Sequence, residues 1–113
     1  MSLQSYQQVQ NATEDPRKTE YRLFALVTKS LMDAAGTKDV ASRNKALHWN
    51  RRLWLTLQAD CADDDNKLSN ELRAGIISLA IWVDRHSRMV MKGEGEIGSL
   101  IDVNRTIMEG LAI

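Results

Sequence analysis

The stretch LHWNRRLWLTLQAD, Leu47 to Asp60, packs two tryptophans, a histidine and two adjacent arginines between Leu47 and Trp54. Arginine beside aromatic rings is the mark of many nucleic-acid surfaces, where bases stack on exposed rings and cations meet the backbone. It is equally what one helix displays when its inner and outer sides are read together along the chain. At about 100° per residue, Ala46, Asn50, Leu53, Trp54 and Leu57 share one side. Arg51 and Arg52 point elsewhere, with Lys45 and His48 on the same outer half, and Trp49 falls off the apolar stripe. A helix from about Asp39 to Asp60 follows, with Trp54 and Leu53 in the core and Trp49 as the exposed ring.

The same period runs outward from this helix. Towards the N-terminus, Tyr21, Phe24, Val27, Leu31 and Ala35 recur at helical spacing. Asp15-Pro16 opens that segment as N-cap and first helical residue, and Gly36 stops it. Towards the C-terminus, CADDDNKLSN reads as a loop and Ser69 as the cap of a further helix, with Glu71 in its first turn. That helix carries Leu72, Ile76, Leu79, Ala80, Val83 and Val90 on one side, and Ile77, Ile81 and Trp82 on others. Being apolar all round, it is expected to be the central, most buried one. GEGEIG reads as a flexible connection, and a last helix from about Ser99 to Glu109 shows Leu100, Val103, Ile107 and Met108. The N-terminal SYQQVQNA adds a short helix with Tyr6 and Val9 on one side. The expectation is an all-α, single-domain bundle, 1–113, of about four main helices plus a short N-terminal one. Its core holds Phe24, Leu53, Trp54, Leu72, Ile76, Leu79, Trp82, Val83 and Ile107.

Composition narrows the function classes. The 15 basic and 15 acidic side chains cancel, whereas a general nucleic-acid binder carries a basic excess. Cys61 is the single cysteine, which rules out an intramolecular disulfide and is compatible with a reducing cytoplasm. No secretory signal is visible in the N-terminal run. The longest apolar run, Ala74 to Val83, is far too short to span a bilayer. His48, His86 and Cys61 are too few to make a four-ligand zinc site, so no metal is expected. The acidic loop imitates a calcium loop only in part. Counted from Asp60, Asp64 and Glu71 fall at the fifth and twelfth positions, but Ala62 takes the third and Asp65 replaces the glycine of the sixth. GEGEIG follows a helix and carries acids that would repel a phosphate. No nucleophile–base pairing is suggested by spacing, so neither an enzyme nor a cofactor site is expected.

Two amides stand out. Asn50 lies within the apolar stripe of its helix, and Asn104 lies midway between Ile101 and Ile107 in the last one. If buried, each needs a partner: a loop backbone, the other amide, or a bound protein. Asn50, Asn104, Trp49, Arg51, Arg52 and Met108 are therefore the candidate partner-binding residues.

In order along the chain, DPRKTEYRLF from Asp15, NRRLW at Asn50 to Trp54, DDDNKLSNELRAGIISLAIWV from Asp63 and the closing LIDVNRTIMEGL form a recognisable series. Together they resemble the FlaF family of flagellar regulators of alphaproteobacteria, over nearly the whole chain. Ser69 departs from the proline frequent there, and both residues can begin a helix. The resemblance implies a cytoplasmic, helical protein that promotes flagellin synthesis or secretion, often opposite the FlbT regulator. Two mechanisms fit it. One is chaperone-like binding of flagellin's helical termini in an apolar groove. The other is binding of flagellin messenger RNA through Lys45, Arg51 and Arg52 with Trp49. A homodimer paired through the apolar tail Leu111-Ala112-Ile113 is a further option left open.

Overall fold

The computed structural model describes residues 16–111 and forms four helices there: α1 (Pro16–Ala35), α2 (Val40–Ala62), α3 (Asn70–Met91) and α4 (Ile97–Leu111). No strand occurs among the described residues. The expected short helix around Tyr6 and Val9, the Asp15 cap and the end of the tail lie outside them.

Local chemistry accounts for the helix boundaries. Pro16 takes the first helical position of α1. Asp39 caps α2: one carboxylate oxygen accepts the Ala41 N–H at 3.2 Å and the other the Ser42 hydroxyl at 2.6 Å. The Ser42 hydrogen bond is the main reason the Asp39 carboxyl titrates below the usual carboxylate range. Ser69 caps α3, its hydroxyl accepting the Leu72 N–H at 3.2 Å. Glu71 and Arg88 complement the helix dipole at its two ends.

Three expectations are corrected. The loop after α2 starts two residues later than the run CADDDNKLSN suggests, because Cys61 and Ala62 remain helical. Side chains satisfy carbonyls that α2 leaves at its end. Arg73, from α3, donates to the Cys61 and Asp63 carbonyls at 2.7 and 2.9 Å, and Asn66 donates to that of Asp60 at 2.9 Å. The acids between the helices therefore build turns, and among the described residues no cluster of three His, Cys, Asp or Glu could hold a metal ion.

The connection GEGEIG is an ordered stop, not a loose tether. Gly93 adopts φ 79°, a left-handed conformation that favours glycine. The N–H groups of Gly93 and Glu94 return to the carbonyls of Val90 and Met89 at 3.0 and 2.8 Å. A Cβ on Gly95 would stand 3.3 Å from His86, Met89 and Val90, so the chain lies close against α3 here. His86 stacks flat on Trp82. Its Nε2 donates to the Glu96 carbonyl at 2.8 Å. Helix α4 then starts at Ile97, which is buried, rather than at Ser99.

The third correction concerns the centre of the bundle. Helix α2 packs extensively against α3 on one flank and against α1 on another, α1 packs against α4, and α3 and α4 barely meet. So α1 and α2 are central, and α3 and α4 are peripheral, each packed mainly against one neighbour. Ala80, Val83, Ser87 and Val90 are buried on α3, but Leu72 is 57% exposed and Trp82 38% exposed. Contrary to expectation, neither belongs to the core. An apolar circumference buries a helix only where neighbours exist, and α3 has one long neighbour. Ile76 and Leu79 of α3 and Ile107 of α4 are half-buried. Phe24, Leu53, Trp54 and Val83 are buried as expected. Phe24 stands edge-on to Trp54 with 5.8 Å between ring centres, a favoured arrangement for an aromatic pair.

Candidate functional site

Asn50 and Asn104 are both fully buried and bond to each other, so their side chains face the interior and not a partner of this conformation. The arrangement fixes its own hydrogen positions. An indole N–H can only donate, and that of Trp54 lies 2.9 Å from Asn104 Oδ1. That leaves Asn104 Nδ2 to donate twice, to Asn50 Oδ1 at 2.8 Å and to the Thr28 hydroxyl at 3.1 Å. Thr28 then directs its own proton to Met108 Sδ at 3.8 Å. One polar clasp thus joins α1, α2 and α4 inside the core. It uses Met108, another candidate contact residue, from within. Asn50 Nδ2 is buried without a partner. Turning that amide over would set two N–H groups face to face. Thr28 was not singled out by sequence, although it lies four residues after Phe24 and three before Leu31 on the same stripe.

The two arginines of NRRLW part company. Arg51 sits at the margin of the buried stripe and reaches α3, where its Nε and Nη2 donate to Asp84 Oδ1 at 3.1 and 2.8 Å. Arg88 occupies the other Asp84 oxygen at 3.0 Å. Arg51 is thus a strut between helices and drops out of the basic surface expected with Lys45, Arg52 and Trp49. Those three remain exposed. They line a groove between α1 and the first half of α2 together with Lys29, His48 and Leu26.

A second groove lies beyond it, along the other half of α2, between α1, α3 and the end of α4. Phe24, Trp54 and Leu57 contribute its floor, and Leu68, Leu72, Ile76 and Ile107 its apolar walls. Leu68 and Leu72, at 43% and 57% exposure, are large side chains that the bundle leaves uncovered. Glu20, Asp60, Asp63 and Asp65 also line it, and among the described residues no Lys, Arg or His does. Cys61 is on its lining yet almost inaccessible. Burial, reinforced by the Asp60 charge, pushes the Cys61 thiol upward into the neutral form. This groove escaped sequence reading because its walls come from four helices, and no linear spacing connects Glu20 with Asp65.

What the grooves offer chemically is docking. Apolar walls bury a partner's apolar side chains, and the charges select its flanks. Among the described residues no helix is long and apolar enough to cross a membrane. No curated protein and no solved structure matches the chain. A protein-family model described as flagellar protein FlaF matches residues 2–111. With nearly every residue covered by that match, the chain belongs to the FlaF family of flagellar proteins.

Proposed function

We propose that this FlaF-family protein acts in the cytoplasm as a non-enzymatic regulator that binds flagellin in a chaperone-like manner and so promotes flagellin synthesis or secretion. The observation that carries this reading is the acid-rimmed groove, whose exposed Leu68 and Leu72 adjoin buried Trp54 and Phe24. Its shape and charge suit an amphipathic helix with an apolar stripe and cationic flanks. Titration of purified flagellin in a calorimeter, paired with thermal melts of the mixture, tests it. Binding heat and a raised melting temperature are expected, since a ligand of the folded state stabilises it. The absence of both overturns the reading.

Leu72→Glu isolates the groove. Leu72 is the third residue after the Ser69 cap, where Glu completes a capping box, so α3 should hold its stability. The added charge and lost apolar contact should weaken flagellin binding by about tenfold or more. Unchanged affinity would move the contact elsewhere.

A second reading is an RNA-binding regulator of flagellin messenger RNA. Its support is the other groove, where Lys29, Lys45, His48 and Arg52 surround Trp49. Binding to flagellin transcript that falls steeply with salt would favour it over the first.

A further inference from the structure

We propose that the groove between α1 and the first half of α2 is a second docking site, for a protein helix that is apolar along one edge and acidic on its flanks. This goes beyond the flagellin reading and does not depend on it.

The apolar element is Trp49 with Leu26, which are 41% and 52% exposed across the groove's lining. Lys45 lies four residues before Trp49 and Arg52 three after, so both cations share the tryptophan's side of α2. Lys29 adds a third from α1. No ion pair among the described residues engages Lys29, Lys45 or Arg52, whereas Arg51, one residue away, is tied to Asp84. Among the described residues, Asp33 is the single acid on the lining. A chain with no net charge thus keeps a groove with an excess of positive charge around an exposed indole. The complement is a helix that presents a Leu-like side chain to Trp49 and carboxylates to Lys29, Lys45 and Arg52.

Single-stranded RNA fits these residues less well. Successive bases need successive rings, and among the described residues the groove offers one aromatic ring besides His48. Asp33 would also face the phosphates. Among the described residues none lines both grooves.

The test is fluorescence anisotropy with three labelled probes: a designed helix with a leucine stripe and glutamate flanks, its lysine-flanked twin, and a uridine-rich RNA oligomer of similar length. The glutamate helix should bind the full chain and weaken as salt rises. It should lose about tenfold or more in affinity to Lys45→Glu with Arg52→Glu, and separately to Trp49→Ala. All three side chains are exposed, so melting temperatures should hold and report folding independently. Binding of the lysine helix should not weaken in the charge-reversed variant, which removes cations that repel it. Absence of glutamate-helix binding, or equal binding by the variants, overturns the proposal. RNA binding that is tighter and lost to the same substitutions replaces it with a nucleic-acid interface.

Discussion

The inner and outer sides of α2 carry the same residue types to opposite ends. Trp54 is 1% exposed and donates a hydrogen bond into the core, while Trp49, five residues earlier, is 41% exposed in the basic groove. Arg51 binds Asp84 across to α3, and its neighbour Arg52 has no ion pair among the described residues. Residue type therefore says little about role here. A single helical step of about 100° converts a strut into a free cation. The inner side is buried structure and the outer side is exposed, which makes the two sides separable by mutation.

The tryptophans should give the widest separation. Trp54→Ala removes a buried ring, its edge-on contact with Phe24 and the donor to Asn104. A loss of about 3–5 kcal/mol in urea denaturation is expected. Trp49→Ala should stay within about 0.5 kcal/mol. Similar losses for the two would mean that the outer side is also core, and the contrast would collapse.

The amides sharpen it next, within the inner side itself. Asn104→Leu strands the Trp54 N–H and Asn50 Oδ1, and takes from the Thr28 hydroxyl the bond it accepts. It should cost about 3 kcal/mol. Asn50→Leu takes away one acceptor along with a donor that has no partner. It should cost about 1 kcal/mol. The unequal pair, measured by chemical denaturation at equal slope, identifies Asn104 as the hub. Equal losses would contradict that order.

The arginines should show the smallest difference. Arg51→Met breaks an ion pair whose side chains are 22% and 24% exposed. The cost should be about 1 kcal/mol, a figure discounted for that partial shielding. Arg52→Met should be neutral within a few tenths of a kcal/mol. Raising the ionic strength should narrow the gap between them. A gap of the opposite sign would place the strut on the wrong arginine.

Much of this was legible along the chain. The four helices fall within about two residues of where the period and the caps put them, with the Ser69 cap among the boundary signals. The split of NRRLW into an inner Trp54 and an outer Arg52 needed only the helical period. Asn50 and Asn104 were conspicuous as amides in apolar stripes, though sequence left open whether they faced each other or a partner. The expected burial of Leu72 and Trp82 failed for one reason: apolarity around a helix reports what could be buried, not how many neighbours arrive.

By itself, then, the sequence determined most helix boundaries, the buried side of α2 and membership of the FlaF family. These rest on local matters: backbone groups capped by side chains a few residues away, the helical period, and an ordered set of motifs. Tertiary structure alone decided that α1 and α2 lie at the centre, that Asn104 bonds to the distant Asn50, and that Arg51 rather than Arg52 meets Asp84. It also decided that acids and uncovered aliphatic side chains from separate helices meet around one groove. Each of these depends on which helix faces which, and that is settled by the packing of whole faces against one another, not by any short stretch of chain.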